Sequence, residues 1–270
     1  MIPLPLRDTN PTTKTPVVMI ALVVANVLVW FYQLHHGVME ATLDYGVIPR
    51  WLLAGMRDGQ LVLPMGDALR GHVREVEVML HQEVPHPLTL LTSMFMHGGW
   101  MHLVGNMWFL WIFGDNVEDA MGRVRFVVFY LLCGVLAALA QTAVTPHSEV
   151  PMVGASGAIA GVLGGYLLLY PRARIRCLWV LIIFITTIEL PAWALLGMWF
   201  VAQFFIPQGE GIAWAAHVGG FVAGLALIRL FAKASLPPGP RGPLRIINPG
   251  PDPVARFEHR DYGDLRLTSN

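Results

Sequence analysis

Apolar positions in this chain fall into long runs broken by short polar stretches. A helix that crosses the hydrocarbon core of a bilayer needs about 20 largely apolar residues, with roughly 17 as a working minimum. Windows at 16–34, 124–144, 152–170 and 212–228 meet that requirement. A further window, 97–113, is apolar enough to span, although His97, His102 and Asn106 interrupt its first half. The stretch 177–206 carries one charge, Glu189. As one helix it would be roughly 45 Å long at about 1.5 Å per residue, which exceeds the hydrocarbon core. Pro191 lies in its middle, removing a backbone donor and disfavouring helix at Leu190, so the pattern predicts a break there.

The placement of basic residues decides the number of crossings. Lys and Arg favour the cytoplasmic side when counted over short loops. Arg7 and Lys14 precede the first window, and Arg123 and Arg125 follow 97–113. Arg172, Arg174 and Arg176 follow 152–170, and Arg229 and Lys233 close the last window, whereas 145–151 and 207–211 hold no Lys or Arg. Only one crossing between Arg176 and Ile212 preserves this alternation. The span is therefore 192–206, and 177–190 is an interfacial or partly inserted approach to it. The expected architecture is an all-α membrane protein, a six-helix bundle with both termini cytoplasmic and a long outer loop between the first two helices. In that loop, Trp51, Leu52 and Leu53 beside Arg50 are expected at the membrane surface. Residues 1–15 form a short cytoplasmic N-terminus, 16–232 the membrane domain, and 233–270 a Pro-rich, disordered cytoplasmic tail.

Composition strengthens the choice of solvent. Hydrophobic residues make up 55% and charged residues 13% of the chain, against about 45–50% and about 25% in ordinary soluble domains. The formal net charge is zero, so no global bias recommends nucleic acid or an acidic ligand as a partner. Cys133 and Cys177 are expected as free thiols rather than a disulfide framework. The first apolar run lacks a small-residue cleavage pattern, so no cleaved leader is expected.

The six-span reading places the unusual polar residues at one depth. The windows starting at 97, 152 and 212 all enter from the outer side, and His102, Asn106, Ser156 and His217 lie near those starts. Polar side chains in a bilayer generally face the bundle interior and mark a functional site. A serine hydroxyl becomes a good nucleophile when a neighbouring base takes its proton, and histidine suits that task at neutral pH. No Asp or Glu lies at that depth, so the arrangement is a Ser156–His217 dyad. Attack on an amide creates an oxyanion that requires preplaced donors. His102 and Asn106, four residues apart on one helix face, supply them, with the backbone N–H of Ser156 at a helix N-terminus as a third.

Packing points the same way. Gly157, Gly161 and Gly165 recur every four residues in one window, and Ala216, Gly220 and Gly224 do so in another. Small residues at this spacing let membrane helices approach closely. If the two stripes face each other, the hydroxyl and the imidazole come within hydrogen-bonding reach.

Three motifs in order, HGGWMHLVGNM at 97–107, GASGAIAG at 154–161 and AHVGGFVAG at 216–224, resemble those of the rhomboid intramembrane serine proteases. The resemblance covers about residues 16–232. It implies a catalytic dyad of Ser156 and His217, an oxyanion hole served by His102 and Asn106, and a supporting role for His97. It also implies that the fifth span and the outer loop before the sixth act as a lateral gate. The substrates it implies are single transmembrane helices with helix-destabilising residues near the cut, in a setting such as a bacterial plasma membrane. No cofactor is implied. Some relatives carry an aromatic residue four positions after the nucleophile, stacked on the catalytic histidine; this chain has Ala160, which leaves the partner of His217 unassigned.

Each feature also has a plainer reading. Ser156 between small residues, or His217 alone, fits simple helix packing; it is their order and common depth that favour catalysis. A metal site of His97, His102 and His217 is disfavoured, because five residues set the first two about 140° apart on one helix and no HExxH motif is present. An inactive rhomboid-like scaffold that binds membrane helices is the alternative of a different class. The presence of both Ser156 and His217 argues against it. No inverted repeat or buried charge pathway suggests a transporter.

Overall fold

Helix α1 (Val17–His36) buries Met19, Leu22, Asn26, Trp30 and Gln33 at spacings of three and four, yet its other face, with Val24, Leu28 and Phe31 exposed, is equally apolar. A helix apolar all round is stable where hydrocarbon rather than water is the solvent. Its first turn is held by a carboxylate. Glu118, buried, accepts from the N–H groups of Val18 (3.1 Å) and Met19 (2.7 Å), donors that the helix itself cannot satisfy.

The computed structural model describes residues 3–56, 58–67, 72–181, 184–206 and 213–232. Strand β1 (Leu4–Asp8) precedes α1. After α1 come short helices α2 (Val38–Tyr45) and α3 (Pro49–Ala54), a hairpin of β2 (Asp58–Asp67) and β3 (His72–His81), and α4 (His86–Thr92). Helices α5 (Trp100–Met121) and α6 (Arg123–Val144) follow, hinged at Gly122, whose φ of 84° suits glycine and whose N–H closes on Glu118 O. Then come α7 (Ser156–Leu169), β4 (Arg174–Leu181), β5 (Phe184–Pro191), α8 (Ala192–Gln203) and α9 (Trp214–Phe231). Helices α1, α6 and α9 are long and apolar enough to cross a membrane, and α7 and α8 are shorter apolar helices. Helix α5 is as long as α6, but its last two turns carry Asp115, Glu118 and Asp119. The tail expected over 233–270 lies outside the described residues.

Helices α7 and α9 meet backbone to backbone. A Cβ added at Gly220 would stand 2.0 Å from Gly157 O, and one at Gly224 would stand 2.0 Å from Gly161 O. On the other side of α7, Gly157 faces Ala137 and Gly161 faces Cys133, both on α6. The two small-residue stripes thus face each other, with α6 packed along the same seam. Cys133 and Cys177 are free and buried.

The fold is mostly helical rather than all-α, for two small sheets are present. Residues 177–190, expected as an interfacial or partly inserted approach to the fifth span, pair as antiparallel strands β4 and β5, with β1 on the far edge of β4. The β-branched run Ile185–Ile188 favours this pairing, since such side chains suit a pleated, half-covered surface. Arg176 and Glu189 stand opposite each other in the register and pair at 3.3 Å. The break falls at Pro191, after which α8 begins. Trp51 also departs from expectation. It is 1% exposed, turned inwards against Gly59, while Leu53 is 63% exposed.

The N-terminal segment is tied to the ends of α5 and α7 by polar contacts. Asp8 accepts from Tyr166 Oη–H (2.6 Å) and Asn116 Nδ2–H (2.8 Å), Asn10 donates to Asn116 Oδ1 (2.6 Å), and Thr13 donates to Asp119. Burial, with Asp115 nearby, raises the Asp8 carboxyl to about 6 from its ordinary 3.8. The folded chain therefore holds this proton more tightly than the unfolded one. The stabilisation is complete below the unfolded value and is lost as pH rises through the folded one. Asp8→Asn keeps an oxygen to accept both bonds and has no charge to bury. It is expected to melt above the parent at about pH 7.5 and level with it at about pH 4, read by thermal unfolding in detergent.

Candidate active site

Ser156 is the first residue of α7, and the strand-like segment before it is fastened on both sides. Val47 and Met152 exchange backbone hydrogen bonds (3.0 and 2.7 Å), Arg50 N–H donates to Ser148 O (3.0 Å), and Gly154 N–H donates to Ser93 O (2.9 Å). Arg50 also pairs with Glu149. Gln82 donates to the carbonyls of Leu43 and Gly46, both at 2.9 Å, so the α2–α3 corner that braces this segment is itself held. Gly154 has φ 133°, and a Cβ there would lie 2.7 Å from His102 Nε2 and 3.5 Å from Ser156 Oγ. Both conformation and space demand glycine at that point.

His217, in the first turn of α9, places its Nε2 2.8 Å from Ser156 Oγ. The backbone contact between α7 and α9 one turn further on permits this approach. Gln141 on α6 accepts from the N–H of Ala216 at 3.2 Å, satisfying one of the donors at the start of α9. Nδ1 of His217 faces Gln203 Oε1 at 2.7 Å, and the ring of Trp199 lies 6.0 Å from the imidazole at a tilt of 38°.

His102 and Asn106 lie one turn apart near the start of α5. Gly98 N–H donates to His102 Nδ1 at 3.3 Å, so a neutral imidazole carries its proton on Nε2, the nitrogen turned toward Gly154 and Ser156. Asn106 is buried, and its Nδ2 has no hydrogen-bond partner. A buried donor left open is costly unless something comes to accept from it. A small open cleft lies beside Ser156, lined among others by Ser93, Met94, Gly154, Ala213 and Ala216.

His97 precedes α5 and is fully buried, with both ring nitrogens unpartnered. Its ring stands edge-on to His102 with centroids 5.1 Å apart. The helical arithmetic that separates these two histidines by about 140° does not apply, because α5 begins only at Trp100. Among the described residues, no group of three His, Cys, Asp or Glu side chains is placed to hold a metal ion. Gln33 on α1 clasps the backbone of His97, accepting from its N–H (2.8 Å) and donating to its carbonyl (3.1 Å).

Sequence reasoning passes over Gln33, Gln141 and Gln203. Each is a neutral amide in an apolar helix, and each holds one strand of the site. Their signal is the isolated polar side chain within a candidate span, the same signal that draws attention to Asn106.

A family profile described as Rhomboid domain matches residues 85–234, more than half of the chain. The chain belongs to the rhomboid family. The matched segment takes in α4 to α9, and with them His97, His102, Asn106, Ser156, Gln203 and His217, whereas Gln33 and Gln82 precede it. Rhomboid protease GluP of Bacillus subtilis is 34% identical over 152 residues, which is 54% of this chain and 25% of that protein. Rhomboid protein 1, mitochondrial, of Saccharomyces cerevisiae is 32% identical over 158 residues, 56% of this chain and 44% of that one. Rhomboid-like protein 11, chloroplastic, of Arabidopsis thaliana is 35% identical over 106 residues, 38% of either chain. This rhomboid chain thus spans less than half the length of each of these relatives. Its apolar outward faces and its family together make it a membrane-embedded protein.

Proposed function

We propose that this rhomboid is an intramembrane serine endopeptidase that cleaves transmembrane-helix substrates near the outer face of the membrane. The single observation that carries the reading is the 2.8 Å contact between Ser156 Oγ and His217 Nε2, made between two helices that are apolar throughout their middles. In this reading α1, α5, α6, α7, α8 and α9 are the six spans. The basic residues at 7, 14, 123, 125, 172, 174, 176, 229 and 233 face the cytoplasm together with both termini. The dyad, at the beginnings of α7 and α9, then lies toward the extracytoplasmic side.

The chemistry follows from the geometry. His217 Nε2 takes the Ser156 proton as Oγ attacks the substrate carbonyl carbon, and the carbonyl oxygen becomes the oxyanion. His102 Nε2–H, Asn106 Nδ2–H and the N–H of Ser156 converge on it. His217 returns the proton to the leaving amine, giving an acyl-enzyme, and then activates the water that hydrolyses it. A substrate helix must unwind locally before this, since its carbonyls are engaged in its own hydrogen bonds. Substrate helices reach the site past α8. No cofactor takes part.

Losing one oxyanion donor typically costs about 10²–10³ in kcat, or about 2.7–4 kcal/mol of barrier. Asn106→Ala is expected to fall in that range in cleavage of a labelled transmembrane substrate, with unchanged thermal unfolding. The reading as a whole is tested by treating the detergent-solubilised chain with a fluorophosphonate and mapping the adduct. Modification at Ser156 is expected. Labelling that persists in Ser156→Ala overturns the assignment, and a chain that binds membrane helices without labelling or cleavage is the scaffold instead.

A further inference from the structure

We infer that Gln203 is a positioning residue that fixes the tautomer of His217, an inference that rests on the protease reading. The amide donates through Nε2 to the carbonyl oxygen of Trp199 at 2.9 Å. A carbonyl oxygen only accepts, so the amide nitrogen must lie on that side and Oε1 must face the imidazole. Oε1 also only accepts, so the ring nitrogen 2.7 Å away, Nδ1, must carry the proton. A neutral imidazole has one such proton. Nε2 is therefore bare, and it presents its lone pair to Ser156 Oγ at 2.8 Å, the form a general base requires.

Among the described residues, the surroundings leave this task to Gln203. Helices α7 and α8 contain no Asp, Glu, Lys or Arg, α6 has its two arginines in its first turn, and Arg229 lies in the last turn of α9. Among the described residues, His102 on α5 is the titratable group that faces His217. Ala160, four positions after the nucleophile, is fully buried and too small to cover the ring. One turn before Gln203, Trp199 sets its ring at a tilt of 38° and 6.0 Å from the imidazole, so α8 provides both a hydrogen bond and an aromatic neighbour to it. Gln203 is itself 6% exposed, which shields the bond from exchange with water. The base is thus competent only while α8 is seated against α9.

The test compares wild type with Gln203→Leu, which keeps most of the volume without the acceptor, and Gln203→Glu, which keeps the acceptor and adds charge. Both are assayed on a labelled transmembrane substrate, with kcat and KM followed across about pH 5 to 9. Gln203→Leu is expected to lose kcat by about 10- to 100-fold at nearly constant KM, less than the roughly 10⁴-fold loss when a triad carboxylate is replaced. Gln203→Glu is expected to recover most of it and to move the acidic limb of kcat upward by about one pH unit, since an anion beside Nδ1 favours the imidazolium. An active wild type whose Gln203→Leu variant keeps the same kcat and the same limb overturns the inference alone. A wild type that neither cleaves nor takes the fluorophosphonate removes the protease reading instead. If the leucine variant fails to fold, nitrogen-15 spectra of histidine-labelled wild type decide the matter: a proton on Nδ1 of His217 is expected, and one on Nε2 overturns the inference.

Discussion

Under the proposed function, Ser156→Ala is expected to abolish cleavage of a transmembrane substrate, by about 10⁶-fold in kcat, the loss typical of removing the nucleophile of a serine hydrolase. The substitution removes the atom proposed to form the acyl bond and leaves everything else standing. His217 keeps its Gln203 contact, and His102 keeps its bond from Gly98 N–H. Residual turnover then reflects only the oxyanion donors and substrate binding. Stability is expected to change little, because one hydrogen bond with net worth of about 1 kcal/mol is lost. Single-turnover cleavage in proteoliposomes, set beside thermal unfolding in detergent, separates the two effects. A variant that still cuts at more than a few per cent of the wild-type rate would mean that another group attacks the substrate.

Gly220→Ala and Gly224→Ala are expected to have the largest effect on stability. In each case the new methyl group would lie 2.0 Å from a backbone carbonyl oxygen of α7, where ordinary contact is 3.4–4 Å. A backbone atom has no rotamer to escape into, so the helices must part by more than an ångström. Overpacking of this kind typically costs about 1–3 kcal/mol and occasionally more, and both the rigid partner and the low tolerance of close-packed seams place these two at the upper end. Activity falls with stability, because Gly157 adjoins Ser156 and Gly220 lies one turn from His217. The 2.8 Å contact cannot survive a separation of that size. Gly197→Ala on α8, where a Cβ meets nothing within 4 Å, is the control and is expected to melt with the wild type. Equal melting of all three would mean that α7 and α9 do not meet along their glycines.

Some features are legible in the sequence because their causes are local. The two stripes of small residues announce a close helix contact, since spacing of four on a helix defines a face whatever lies opposite. Pro191 announces the end of one element and the start of another, since a missing N–H acts at its own position. The strands over 174–191 show the weakness of the same method. Apolar length and β-branching are both local signals there, and they point to different elements; pairing with β1, about 170 residues earlier, settles the outcome. His97 and His102 show another weakness, since angular arithmetic holds only where both residues lie on the helix.

By itself the sequence determined lipid as the solvent, where the long apolar helices run, and which hydroxyl, imidazoles and amide stand out as unusual polar groups within them. Transfer free energy and helical period belong to a window of residues and need no knowledge of the rest. Only the tertiary structure decided which polar groups meet: Gln203 with the imidazole of His217, Gln141 with the start of α9, Gln33 with the backbone of His97. Where a side chain points relative to another helix depends on how far each helix is rotated and how closely the two cross. Those quantities are set by packing along the whole seam, down to the backbone contacts at Gly220 and Gly224.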